Sequence, residues 1–431
     1  MSRLIFKNSI SEHFSCPVSD EEQVEPLSII FNKHVKRKKG VPLICFEIEL
    51  LGDVLNGKSS YFIGTDWIRK NDLAVHVSPK YNEGDMQIDF LKMLETCLKH
   101  PDVKLYNNDL CEIKFDQPHI TINKESDFLT PLLIVQFLQL LKNIVIKGLK
   151  KSYYKVERNL SGKIKGKISL TKQIKQNFFH NKAAKTVCEF DEYGINCSEN
   201  KILKCTLKFI QKYIGQFPEF SKELVSIINF CIPAFEMVDN VVNVEVMYKN
   251  HNNVFYKEYK EALQVAGLVL KRFGYNIKEV STEVSNYTNV PPFWINMPKL
   301  FELYILGMLK DRFGSQIRFQ FEGYKSQKPD FLLVNDSHKM VIDTKYRKAY
   351  LDDNYNIEDI RQISGYARDE KIRQELDINA SECQKVVDCL IIYADQLNGM
   401  GQLPGDLKSM SIEDFVGFYK IGIKLPTITS Q

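Results

Sequence analysis

The sequence predicts an α/β protein in three consecutive parts. Residues 1–125 read as a β-rich N-terminal domain, 126–292 as a mainly helical region, and 293–431 as a C-terminal α/β core with a mixed sheet flanked by helices. Three observations carry this. Short apolar runs alternate with turn-like segments in the first part, as strands do. Apolar residues then recur at helical spacing. After Pro291-Pro292 the periodic segments follow the order α-β-β-β-α-β. A length of 431 residues fits two or three domains, and 44% hydrophobic with 26% charged residues suits a soluble protein able to bury sizeable cores.

In the N-terminal part the strand candidates are Leu43 to Leu51, Tyr61 to Ile63, Leu73 to Val77 and Ile120 to Ile122. Met86 to His100 has apolar residues at helical spacing and is the one clear helix there. Lys33, Lys36, Arg37, Lys38 and Lys39, ending at Gly40, read as an exposed basic loop that is either solvated or in contact with phosphate. No catalytic site is evident in this part.

The middle part opens with Phe128 to Leu141, the longest apolar stretch. It is about one-third too short to span a bilayer and contains Gln136 and Gln139, so a buried helix is expected. Lys142 to Lys175 carries eleven Lys or Arg against one acid, Glu157, together with Tyr153 and Tyr154. Within it, Leu160 to Ser169, punctuated by Gly162 and Gly166, reads as a hairpin or an extended segment. Basic charge with interleaved aromatics suits phosphate tracking, but equally docking to an acidic protein surface or a solvated face; Lys163, Lys165 and Lys167 are the candidate contacts. Phe190 to Ile214 runs from a turn into an amphipathic helix. Asn196 and Glu199 form a candidate capping box, and Ile202, Leu203, Leu207 and Ile210 its inner stripe. The polar run Ser281 to Asn289 and Pro291-Pro292 mark the next boundary.

The C-terminal part begins with a helix over Pro298 to Phe313, capped by Asn296, with Pro298 in its first turn and Gly314 as its stop. A short alternating run, Ile317 to Phe321, follows. Then come two apolar runs, Phe331 to Val334 and Met340 to Ile342, joined by the turn residues Asn335 to His338: a β-hairpin. Asn356 to Arg373 reads as a helix, Val386 to Tyr393 as a buried strand, and Phe418 to Leu425 as another.

The hairpin carries the chemistry. Asp330 opens its first strand and Asp343 ends the apolar part of its second, with Lys345 two residues on. Side chains alternate along a strand, so Asp343 and Lys345 share a face. Mg²⁺ is commonly held by one or two carboxylates plus waters and substrate phosphate. Asp330 and Asp343 on neighbouring strands can share such an ion, with the Thr344 carbonyl as a third oxygen. Lys345 would then orient or help deprotonate water, or offset charge on the phosphate. The alternative is a surface hairpin with solvated charges. The pattern Pro329-Asp330 … Asp343-Thr344-Lys345 resembles the PD-(D/E)xK nuclease superfamily. That resemblance implies a further metal-site carboxylate at Glu302, on the preceding helix, and makes Gln362 with Tyr366 a match to the Gln-x-x-x-Tyr element of some branches.

Other chemistries find little support. The net charge of +4 means that nucleic-acid affinity must come from local basic patches. The ten cysteines include no CxxC pair, so neither a zinc site nor a redox dithiol is indicated; they fit buried residues in a reducing cytoplasm. The N-terminus lacks the apolar core of a signal peptide. No GxSxG occurs, and the eight histidines show no paired spacing; His338 reads as a turn residue. No GxxxxGK[ST] loop is found, and Gly399-Met400-Gly401 lacks the GxGxxG spacing, so no nucleotide is expected on this chain.

Three segments together resemble the McrC family, the nuclease components of McrBC-type modification-dependent restriction systems. These are Leu160 to Ile168; Phe190-Asp191 with Glu199 to Lys204; and Pro329-Asp330 with Asp343 to Tyr346. The resemblance covers roughly residues 140 to 431. Further upstream only Val75 to Lys80 matches, at an "I-x-P-K" strand end. The resemblance implies a nuclease head on a helical stalk, double-stranded DNA as substrate, and a McrB-like AAA+ GTPase hexamer as partner. It implies no membrane. Asp330 and Asp343 would hold Mg²⁺, or Mn²⁺, with Thr344 and Glu302 as further ligands, and Lys345 would be the catalytic lysine beside Gln362. The alternatives are a stand-alone nuclease of the same superfamily, a catalytically silent activator of an AAA+ motor, and a plain nucleic-acid binding protein.

Overall fold

A computed structural model describes residues 3–4, 10–11, 15–17, 30–35, 42–51, 54–82, 86–98, 110–114, 117–123, 129–214, 222–240, 257–276, 287–347, 350, 355–378 and 384–429. The chain is mixed α/β. Its contacts define two compact units, one of Met1–Leu132 with Glu283–Gln431, the other of Leu133–Thr282. The sequence reads instead as three consecutive domains. Strand pairing explains the difference. Phe293–Asn296, just after Pro291-Pro292, pairs antiparallel with Phe62–Arg69, and Thr427–Thr429 pairs with Met86–Ile88. Pairing between segments so far apart leaves no local signature in the chain.

In the first unit, one sheet runs in the order Arg3–Leu4, Leu73–Ser78, Phe62–Arg69, Phe293–Asn296, Cys111–Ile113, with Ile10–Ser11 also joined to Leu73–Ser78. Another runs Ser15–Pro17, Val54–Ser59, Leu43–Leu51, Ile30–Val35. Phe46, Ile48, Phe62, Val75, Val77 and Trp294 bury together, each side chain of this size contributing about 1.5–3 kcal/mol. Lys33 is not part of an exposed basic loop. It turns toward the buried Asp66, 3.8 Å away; residues 36–40 of that cluster lie outside the described residues. The segment Met86 to His100 is likewise not one helix. Met86–Ile88 is recruited as a strand, and Asp89 starts the helix Phe90–Leu98 by accepting from the Lys92 amide.

The C-terminal sheet of this unit takes its strands in chain order: Ile317–Phe319, Phe331–Val334, Lys339–Lys345, Asp388–Ala394, Phe418–Ile423. The first two pairings are antiparallel and the last two parallel. The hairpin turn is closed by Asn335, whose side chain accepts from the Ser337 and His338 amides. The helix Met297–Phe313 precedes the sheet. Asn296 caps it, Pro298 sits in its first turn, and Gly314 ends it at φ +54°. The expected helix Asn356 to Arg373 is two, Ile357–Arg368 and Glu370–Glu375. Asp369 breaks it with an extended backbone and a carboxylate that accepts from the Lys371 and Ile372 amides. Ile360, Ile363, Ala367 and Ile372 from these helices bury with Leu332, Val341, Cys389, Ile391 and Tyr393. Val341, Asp343 and Lys345 alternate along one strand, so both charged residues share the face on which the Ile357–Arg368 helix lies.

The second unit combines helices with a sheet ordered Ser152–Ser161, Lys185–Gly194, Lys167–Ile168. The Gly-punctuated segment is therefore no hairpin on itself. Its two ends flank the same long strand, and Gly166, at φ +70°, passes where a Cβ would meet the Glu189 carbonyl oxygen at 2.4 Å. Nor do Asn196 and Glu199 form a capping box. Asn196 exchanges hydrogen bonds with Asp239, and Glu199 binds Lys150 Nζ at 2.6 Å. Asn200 is buried and donates to the carbonyls of Lys150 and Ile195, while accepting from Tyr259. This places the Glu199-Asn200 segment among the groups that hold the unit together. The helix Leu129–Lys147 is long and apolar enough to cross a membrane, longer than the run read from sequence. Its Leu133, Ile134, Val135, Phe137, Leu138 and Leu141 are buried in the protein.

Candidate active site

The register of the hairpin decides what meets what. Phe331 pairs with Ile342, so one further step sets Asp330 beside Asp343. Asp330 Oδ2 accepts two hydrogen bonds from Thr344, from its amide at 2.7 Å and its hydroxyl at 2.6 Å. Asp343 is 3% exposed, and its Oδ2 lies 2.7 Å from Lys345 Nζ. The Lys345 ammonium is thus the ion-pair partner of Asp343 Oδ2, and among the described residues no backbone amide or uncharged side-chain donor reaches that buried oxygen. Lys345 Nζ donates to Gln362 Oε1 at 3.0 Å, and Gln362 Nε2 donates to the Tyr366 hydroxyl at 2.6 Å. Glu302 is buried on the Met297–Phe313 helix, where it accepts from Lys299 Nζ at 2.7 Å and from Gln320 Nε2 at 2.9 Å. Asp330, Asp343, Thr344, Lys345 and Gln362 thus form one linked group. Glu302 joins it through Gln320, whose amide donates to the Asp330 carbonyl.

Burial sets the electrostatics. It pushes the Glu302 and Asp343 carboxyls each up to about 7, with the neighbouring Asp330 adding to both. Lys299 and Lys345 oppose this only in part. Asp330 is raised as well, chiefly by burial, against its two bonds from Thr344. For Lys345 burial disfavours the charged form, but Asp343, Asp359 and Asp330 outweigh it and raise its pKa. The group is a set of acids held close in a poorly solvating place, with one ammonium among them.

Among the described residues no three His, Cys, Asp or Glu side chains close into a metal cage. Mg²⁺ does not need one, since one or two carboxylates with waters suffice. The buried Asp343 oxygen, which has no neutral donor and lies next to a second carboxylate that raises its pKa, fits a hard cation of that kind.

Asp359 is the residue that sequence reasoning missed. It is buried on the Ile357–Arg368 helix, 3.4 Å from Lys345 Nζ and 3.3 Å from Arg347, and it accepts from the Tyr350 hydroxyl at 2.5 Å. Lys345 is therefore shared between two acids. The available signal was spacing, because Asp359 precedes Gln362 by three residues and so shares its helical face. Lys299 carried the same signal, three residues before Glu302 on one helix, whereas Gln320 carried none. Lys163, Lys165 and Lys167 lie in the second unit, all exposed. Lys165 is engaged locally, 3.6 Å from Glu192 and 4.1 Å above the Phe190 ring.

A family model described as "McrBC 5-methylcytosine restriction system component" matches residues 62–375, well over half of the 431. A comparison with curated proteins gives no match. Two solved assemblies contain similar chains. One is a refined half-complex from a tetradecameric assembly of Thermococcus gammatolerans McrB AAA+ hexamers with bound McrC. The match has 16% identity and a TM-score of 0.38, covering 88% of this chain and 80% of that one. The other is the cryo-EM structure of the Thermococcus gammatolerans McrBC complex, with 15% identity, a TM-score of 0.30, and 74% and 90% coverage.

Proposed function

Because the chain belongs to the McrBC 5-methylcytosine restriction system component family, we propose that it is the DNA-cutting, McrC-like subunit of such a system. The C-terminal sheet with its flanking helices serves as a PD-(D/E)xK nuclease core. The second unit acts as the stalk that engages and stimulates a McrB-like AAA+ GTPase. The reaction is hydrolysis of a phosphodiester bond in double-stranded DNA bearing modified cytosine, in the cytoplasm. The observation that carries this reading is the buried Asp343 paired with the half-buried Lys345, with Asp330 beside it on the neighbouring strand.

Asp330 and Asp343 would hold Mg²⁺ or Mn²⁺, with the Thr344 carbonyl and Glu302 as further oxygens. The bound ion supplies Lewis-acid polarisation of the phosphate and a lowered pKa for the attacking water. Lys345 keeps its proton, given its raised pKa and acidic neighbours. It therefore acts as a fixed cation, offsetting charge that develops on the phosphate. Gln362 and Asp359, both on the Ile357–Arg368 helix, hold its Nζ from that helix. Thr344 orients Asp330 through two hydrogen bonds.

The test is plasmid cleavage in Mg²⁺ by the wild-type chain and by Asp343→Ala, with and without the AAA+ protein, GTP or ATP, and methylated DNA. Cutting that needs partner, nucleotide and Asp343 together is the expected result. Cutting by the chain alone would indicate a stand-alone nuclease. Stimulated nucleotide hydrolysis with no cutting under any condition would leave a silent activator.

A further inference from the structure

The strand end Val75 to Lys80 is matched to the family yet has no part in the chemistry above. In the fold, Lys80 lies 266 residues away in sequence from the carbonyl it serves, donating from Nζ to Tyr346 O at 2.8 Å. Tyr346 directly follows Lys345. The same ammonium lies 4.0 Å above the Tyr346 ring, with the Tyr61 and Tyr81 rings at 5.2 and 5.3 Å. Tyr81 packs edge-on to Tyr346 at 5.3 Å, and its hydroxyl donates to the Ala394 carbonyl at 3.2 Å, at the end of the adjoining parallel strand. Tyr346 also meets Phe301, the neighbour of Glu302, with ring centroids 5.8 Å apart.

We infer that Lys80 is a positioning residue for the nuclease site, a cation caged by three tyrosine rings that pins the strand end carrying Lys345. The ladder cannot do this alone. Regular pairing ends at Lys345, whose register partner is Tyr393, and Lys345 O is then taken up by a tight turn from the Arg347 amide. Beyond that point the Tyr346 carbonyl is satisfied by a side chain from the N-terminal sheet. A cation over aromatic faces is held by the ring quadrupoles, and its hydrogen bond to a carbonyl is charge-assisted. Together they are strong enough to hold a strand terminus and weak enough to leave the fold standing when lost. Misplacement of a reacting group by about 1 Å can cost on the order of a hundredfold in rate. The N-terminal segment thus belongs to the cutting machinery.

This rests on Asp343 and Lys345 being reacting groups, so each assay includes Asp343→Ala. Lys80→Met keeps the stem and removes the ammonium, while Lys80→Arg keeps a cation and a donor. In the partner-coupled cleavage assay Lys80→Met is expected to lower kcat by about 10- to 100-fold with KM for DNA unchanged, and Lys80→Arg to recover most of it. Hydrogen exchange at the Tyr346 and Arg347 amides should quicken in Lys80→Met while the Asp388–Ala394 strand stays protected. Should Lys80→Met fail to fold, Lys80→Gln must show the same split. A rise in KM at constant kcat would overturn the inference, since Lys80 would then be touching DNA. So would cleavage and exchange both unchanged in Lys80→Met while Asp343→Ala is dead. If Asp343→Ala cuts normally, it is the nuclease reading that fails.

Discussion

Two buried acids of the same unit are treated in opposite ways. Asp66 is surrounded by donors: Lys114 Nζ at 2.5 Å, the Trp67 amide at 2.8 Å, the Trp294 indole at 3.0 Å, and Lys33 Nζ at 3.8 Å. It ties the Phe62–Arg69 strand to the Phe293–Asn296 strand. Asp343 is about as deeply placed but has a single ammonium, Lys345, at 2.7 Å, and Asp330 and Asp359 as further negative neighbours. A buried acid supplied with donors serves the architecture. Under the proposed function, a buried acid kept short of them, among its own kind, would take a cation.

The largest effects should separate the two. Asp343→Asn is expected to lower cleavage on the order of a thousandfold or more, while its melting temperature at neutral pH holds or rises, because an unfavourable charge is gone. Asp66→Asn should do the reverse. Breaking a buried ion pair from one side costs about 3–5 kcal/mol, or on the order of 10 °C in melting temperature, with cleavage per folded molecule kept. Parallel thermal melts and cleavage assays decide it; loss of both properties in both variants would dissolve the distinction.

The second contrast is with pH. Glu302 and Asp343 titrate near 7 in the folded chain, well above the usual carboxylate range. Between pH 4 and 7 the folded state therefore binds more protons than the unfolded, so these groups add stability at low pH that is lost as pH rises through 7. In chelator, the wild-type melting temperature should fall over that window relative to Asp343→Asn, which removes one of the two titrations. Mg²⁺ or Mn²⁺ should restore the wild type above pH 7 and leave Asp343→Asn nearly unmoved. Identical pH curves for the two proteins would contradict the strain assigned to Asp343.

What could be read in the chain follows from the range of the interaction. The hairpin, its Asn335 turn, the Asn296 cap and the Gly314 stop are local, and the structure has them where the residues indicate. The shared face of Asp343 and Lys345 follows from strand alternation and is seen in their 2.7 Å approach. Other features depend on distant partners and left little or no local mark. Met86–Ile88 has helical periodicity but is taken by Thr427–Thr429. Lys33 stands in a basic run but is drawn in by Asp66. Asp359 looks like a dipole-favouring acid in the first turn of a helix, and only the fold brings it to Lys345.

The smallest expected effect concerns the basic stretch of the second unit, where charge on paper exceeds charge available. Lys150 is committed to Glu199, Lys172 to Glu157, and Arg158 and Lys165 to Glu192. Reversing Lys163, Lys165 and Lys167 to Glu should cost the fold only about 1 kcal/mol, as exposed pairs do, most of it where Lys165 faces Glu192. If these lysines track DNA, the salt dependence of DNA binding should flatten by roughly 0.9 for each phosphate no longer neutralised. If they dock the motor, the salt slope should hold while stimulation of nucleotide hydrolysis weakens. Titrating DNA binding against salt and measuring hydrolysis on the same triple variant separates the two. A variant unchanged in both would make the stretch a solvated face, and the unit's contribution would then rest on its other surfaces.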